Sequence, residues 1–164
     1  MKSADIPTLD QVWETLADIQ DPEIPVLSLV DLGIIRHVSI EGSSVTVRLT
    51  PTFAGCPALH VMRQAILDRL SALGFEQVRA EVVLDPPWTT DDLSPEARGK
   101  LRAFGLAPPA RPAAEAALRL EEAVECPHCG SMETDLRNAF GPTPCRTIRF
   151  CHACRQPFEG FKPL

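Results

Sequence analysis

The sequence has no run of apolar residues long enough to span a bilayer, and its first ten residues, MKSADIPTLD, hold no apolar signal core. Both absences argue against a membrane protein and predict a cytoplasmic chain. Tyrosine is missing and aromatic residues make up only 5%. Without a stripe of interleaved aromatic and basic side chains, nucleic acid is not an expected partner. No His/carboxylate metal motif, glycine-rich phosphate loop or Ser-His-acid set is present, which excludes the usual machinery of an independent oxygenase or hydrolase. No internal repeat is visible.

What is present reads as globular. Of 164 residues 45% are hydrophobic, with a mean hydropathy of -0.01. The formal charge of -6 is uneven: residues 1–106 hold nine basic against fifteen acidic side chains, and residues 126–164 hold five against three. A mildly basic tail on an acidic body suits docking to a protein at least as well as binding a polyanion. Six cysteines in a reducing compartment point to metal ligands or reactive thiols and away from disulfides.

Taken in order, Thr8 and Gln11 have capping-box spacing, and Leu9, Val12, Trp13, Leu16 and Ala17 repeat with helical period. The segment DPEIPVLSLVDLGII carries two prolines close together and reads as a structured loop leading into a strand. Val38 and Ile40, then Val45, Val47 and Leu49, alternate with polar residues around Glu41-Gly42-Ser43, predicting a hairpin. Leu59, Met62, Ile66, Leu70 and Leu73 mark a second helix ended by Gly74, and Val78 to Leu84 alternate as a third strand. Ser94-Pro95 opens a third helix that runs to about Phe104. The order α, β, β, α, β, α predicts an α+β domain over residues 1–106, with helices packed on a small sheet. The Pro/Ala-rich stretch 107–125 reads as a linker, and residues 126–164 as a second module.

That module carries the strongest signal. Cys126/Cys129 and Cys151/Cys154 are two CxxC pairs, each able to turn two thiolates towards one point and together able to close a tetrahedral four-sulfur site. About 40 residues bury too little apolar surface to fold unaided, so a metal is expected to supply the missing stability. Zinc is the first choice and iron in the same cage the alternative. His128 and His152 are expected to face solvent while four sulfurs are available. Cys145 is expected to pack in the ribbon, with Phe150, Phe158 and Phe161 as its apolar core.

The other candidate is Cys56, in Thr50-Pro51-Thr52-Phe53-Ala54-Gly55-Cys56-Pro57. If Pro57 takes the first helical position, Cys56 sits at or beside the N-cap, where unpaired N–H groups and the helix dipole favour a thiolate. A small buried hydrophobe is the competing reading.

DPEIPVLSLVDLGII followed by TPTFAGCPALHVM resembles the MIP18 (DUF59) family of iron-sulfur assembly proteins, over the stretch up to about Leu84. With CPHCGS, FGPTPCR and CHACRQPFEGFKP added, the whole chain resembles the PaaD family of bacterial phenylacetyl-CoA 1,2-epoxidase subunits. Phe53 stands where the family often has tyrosine, and Arg146 where lysine often follows the ribbon cysteine. The resemblance implies that Cys56, with Asp21 and Glu23 of the DPE loop and Thr52 beside the thiol, handles iron or a labile iron-sulfur cluster. It implies reductase or oxygenase subunits of the epoxidase as partners, the iron-sulfur reductase first among them. A cluster wants four protein ligands and this domain offers one cysteine, so the rest must come from a second copy in a homodimer, a small thiol, nearby carboxylates or the client. A scaffolding role without cluster transfer is the alternative implied.

Overall fold

A computed structural model describes residues 6–109 and 122–162. The chain divides into two compact units, one ending at Pro87 and one starting at Trp88.

In the first unit, helix α1 (Leu9–Ala17) opens with the expected capping box. The Gln11 N–H donates to Thr8 Oγ1 at 3.3 Å and the Thr8 N–H donates to Gln11 Oε1 at 2.8 Å. Its buried face is Val12 and Leu16. The segment that follows is irregular but packed, because Leu27, Leu29, Leu32 and Ile34 are all buried. Strands β1 (Ile35–Glu41) and β2 (Ser44–Leu49) form the antiparallel hairpin. Helix α2 (Leu59–Leu73) then crosses over and returns the chain as β3 (Gln77–Val82), parallel to β2, as a βαβ connection requires. The sheet order is β1-β2-β3. One face carries Val45, Val47, Leu49 and Ala80 into the core against Met62, Ile66 and Leu70 of α2.

The second unit starts earlier than the expected boundary after residue 106. Ser94 caps helix α3 (Pro95–Ala103), its Oγ accepting from the Ala97 N–H at 3.0 Å. The chain then forms β4 (Leu106–Ala107), which pairs in parallel with β7 (Pro157–Phe161). Strands β5 (Thr134–Asn138) and β6 (Arg146–Cys151) complete a four-stranded sheet in the order β4-β7-β6-β5. The physical reason for the earlier start is core size. The ribbon's small cluster of Cys126, Cys151 and Phe158 includes Ala107 from β4, and Trp88 packs its ring 5.9 Å from Phe161. Residues 88–107 therefore supply apolar surface that the cysteine-bearing segment lacks. Of the expected linker, residues 110–121 lie outside the described residues, and Ala107 is in a strand. Phe150 is half-buried and departs from the expected core. Arg137 stacks over it, with the guanidinium carbon 5.0 Å from the ring centre.

Candidate metal centres

The four cysteines of the second unit converge. Their sulfurs all lie within 4.8 Å of one another, with Cys126 Sγ 3.8 Å from Cys154 Sγ and Cys129 Sγ 3.6 Å from Cys151 Sγ. Zinc–sulfur bonds of about 2.3 Å place tetrahedral sulfurs about 3.8 Å apart, so the spacing is that of a metal cage. It is far too long for disulfides, and none of the six cysteines is in one.

Each pair sits in a knuckle closed by backbone bonds. The Gly130 N–H donates to the Cys126 carbonyl at 2.9 Å, and the Cys126 N–H donates to Ser131 O at 2.9 Å. The Cys151 N–H donates to Gln156 O at 3.0 Å. Backbone N–H groups also polarise the sulfurs unequally. The Cys154 N–H lowers the Cys151 thiol to about 7, whereas burial raises Cys154 to about 12. A soft divalent cation fits this donor set: it would bind four thiolates and displace the proton that Cys154 holds at neutral pH.

Two residues that sequence reasoning passed over position the first knuckle. Buried Thr134 donates its Oγ1–H to Val124 O at 2.6 Å and accepts from the Val124 N–H at 3.1 Å. Arg149, also buried, donates to Glu122 O at 2.7 Å. Both brace the segment that enters Cys126. Their only signal in the sequence is a polar residue at an inward position of a strand. His128 and His152 are exposed, and His152 Nε2 lies 3.3 Å from Asp135 Oδ2. Cys145 is half-buried beside Thr143, its Sγ 3.2 Å from Thr143 Oγ1.

Cys56 occupies a different environment. The β2 strand ends at Leu49, and the Thr50 N–H donates to Ile34 O at 2.8 Å, which fixes where the loop leaves the sheet. The Cys56 N–H then donates to Phe53 O at 2.9 Å, and the Leu59 N–H donates to Cys56 O at 3.2 Å. These two tight turns delay the helix, whose N-cap is Ala58. Cys56 thus lies two residues before the cap and Pro57 one residue before it. That corrects the expected placement and removes the direct argument from the helix dipole, which acts within the first turn. The thiol is half-buried, not sealed in the core. Phe53 is exposed and its ring covers Gly55, where an added Cβ would meet Phe53 Cε1 at 3.0 Å.

Asp21 is buried and works inside its own loop. Its Oδ1 accepts from the N–H groups of Glu23 at 2.8 Å and Ile24 at 2.7 Å. Glu23 and Thr52 are half-buried. Among the described residues, the group of three or more His, Cys, Asp or Glu side chains within metal-binding reach is the ribbon cluster alone, so Cys56, Asp21 and Glu23 do not form a closed site by themselves.

Comparison with known proteins bears on both units. Residues 9–82 match the family described as iron-sulfur cluster assembly protein, and residues 110–162 match the PaaD zinc beta ribbon domain. A protein of Escherichia coli K12 named as the D-subunit of 1,2-phenylacetyl-CoA epoxidase is 42% identical over 95% of this chain and 93% of its own length. The chain belongs to the PaaD family of 1,2-phenylacetyl-CoA epoxidase subunits. An Fe-S protein maturation auxiliary factor of Porphyromonas gingivalis W83 is 30% identical over 59% of this chain and 93% of its own length. The crystal structure of a DUF59 domain from Bacillus anthracis aligns with a TM-score of 0.53 at 24% identity, covering 56% of this chain and 89% of that one, and shows the same fold. Membership of the PaaD family, with maturation factors as relatives of its first unit, supports an accessory role. Among the described residues, no helix is long and apolar enough to cross a membrane.

Proposed function

We propose that this member of the PaaD family is a cytoplasmic maturation factor that helps load iron or an iron-sulfur cluster onto a component of the epoxidase, most directly its ferredoxin-type reductase. The observation that carries the reading is the setting of Cys56: a half-buried thiol on a turn, with an exposed Phe53 beside it and no other cysteine in its unit. One thiolate cannot close a four-ligand cluster site. Cargo held there stays exchangeable, with Asp21, Glu23 and Thr52 as the oxygen donors the family resemblance implies and the client as the source of the remaining ligands. In this reading the second unit holds zinc through Cys126, Cys129, Cys151 and Cys154 and presents a rigid surface to the client. The thiolate set and its spacing support zinc in that cage.

The test is Cys56→Ser, with iron and acid-labile sulfide measured in the reductase purified from cells carrying either form. Under this proposal reductase loading falls while the zinc content of the variant is unchanged. Full loading together with unaltered co-purification of the oxygenase components would instead favour a scaffolding role.

A further inference from the structure

Strand β3 ends the first unit's sheet, and among the described residues no strand pairs with its outer edge. The Gln77 N–H donates to Ser43 O at 3.3 Å and the Val83 N–H donates to Leu49 O at 2.9 Å, so odd-numbered residues turn their backbone groups towards β2. By alternation, Val78, Ala80 and Val82 turn theirs outward. The outward carbonyl of Ala80 accepts from Arg63 Nε of α2 at 3.2 Å. Side chains alternate too: Arg79 and Glu81 are exposed on one face, while Val78, Ala80 and Val82 lie on the other, with Val82 still 36% exposed.

The segment Val78-Arg79-Ala80-Glu81-Val82 is complementary to itself when reversed. Laid antiparallel on a second copy about Ala80, it sets Val78 opposite Val82 and Arg79 opposite Glu81, each twice. The outward backbone groups at 78, 80 and 82 then fall in hydrogen-bonded pairs. The Arg79/Glu81 pairs fall in the non-hydrogen-bonded positions, where opposing side chains come closest. Charge also selects this register. Shifting the centre to residue 79 sets Arg79 opposite Arg79, and shifting it to 81 sets Glu81 opposite Glu81.

We propose that β3 pairs antiparallel with β3 of a second copy, centred on Ala80, joining two three-stranded sheets into one of six strands. Glu81, already 3.3 Å from Arg48 within the sheet, gains Arg79 of the second copy. Arg63 holds an acceptor that the pairing uses and therefore opposes it. The arrangement has a consequence for Cys56. The thiol loop follows the C-terminal end of β2, and β3 runs parallel to β2. Antiparallel pairing sends the two loops to opposite ends of the joint, apart by at least about the 20 Å length of a six-residue strand. A second copy assembled this way cannot supply a second thiol to the same cargo. The assembly does not depend on the metal chemistry proposed above, and its test reads association alone.

Sedimentation equilibrium of the full-length, zinc-loaded, reduced chain from micromolar to submillimolar concentration tests it. A concentration-dependent dimer is expected. Glu81→Arg, which sets like charges opposite each other, weakens association by at least about tenfold. The exchange Arg79→Glu with Glu81→Arg restores it, and Arg63→Ala tightens it. Arg79→Glu alone repeats the disruption from the other partner should Glu81→Arg fail to fold, as judged by circular dichroism. A monomer at every concentration would leave the edge to a strand of another protein and overturn the proposal. Equal association of the single and exchanged variants would overturn it as well.

Discussion

Gly130 and Arg155 hold equivalent places, each one residue beyond the second cysteine of its pair, and both have a left-handed backbone, with φ of 76° and 60°. The turn that points two sulfurs inward needs this conformation whatever residue fills it. Glycine adopts it freely, whereas a side chain is strained by about 1 kcal/mol.

Arg155→Gly is therefore expected to stabilise the ribbon by about 0.5 to 1 kcal/mol, and Gly130→Ala to destabilise it by about 1 kcal/mol. Denaturant unfolding of the zinc-loaded chain, followed by Trp88 fluorescence in a Trp13→Phe background, separates the two. Trp88 is buried against Phe161 and reports on this unit. No gain from Arg155→Gly would remove backbone strain from the account.

Metal removal should affect the units unequally. Structural zinc in small modules contributes about 10 to 16 kcal/mol of folding free energy. The second unit's central cluster includes two of the cysteines, Cys126 and Cys151, so it should unfold on chelation, with loss of the Trp88 signal. The first unit, whose core is largely aliphatic, should keep its helical circular dichroism. A ribbon that stays folded without metal contradicts this.

The pH dependence of zinc affinity has a defined sign. Zinc takes thiolates, so protons compete and affinity falls as pH falls. The half-buried Cys154 thiol, raised to about 12 by desolvation, is protonated across the neutral range and contributes one displaced proton throughout. Cys151 is lowered to about 7 by the Cys154 N–H, so its proton adds to the competition only on the acid side of that value. A plot of log affinity against pH should therefore steepen as pH drops through about 7. Titration with a chromogenic zinc chelator measures it, and a constant slope there would reject the Cys151 assignment.

Asp21 can be dissected by two substitutions. Asp21→Ala removes the acceptor of the Glu23 and Ile24 N–H groups and should cost about 2 to 3 kcal/mol. Asp21→Asn keeps an acceptor oxygen and should cost about 1 kcal/mol or less, while losing the charge. If the carboxylate also assists cargo at Cys56, the asparagine variant folds yet loads less iron after anaerobic reconstitution. Equal loading in a folded Asp21→Asn chain would confine Asp21 to loop structure.

The elements of the first unit are readable residue by residue. Thr8 with Gln11, the alternation from Val38 to Leu49, and the helical repeat from Leu59 to Leu73 each encode their structure within a few positions, because side-chain period and capping chemistry are local. The helix start near Cys56 escapes the same reading for the complementary reason. A proline suits several positions around a cap, and the choice goes to turns closed by Phe53 O and Cys56 O, which no spacing rule specifies.

The sequence alone determined that four thiols would be offered in two turns and that a single thiol would stand between a strand and a helix, because both are written in short-range order. Only the tertiary structure decided that residues 88–107 belong with the ribbon, since that depends on which core lacks apolar surface. It likewise decided that β3 lies at an edge, with the backbone groups of Val78, Ala80 and Val82 turned outward, because strand order follows from how helix α2 crosses over and not from any one segment.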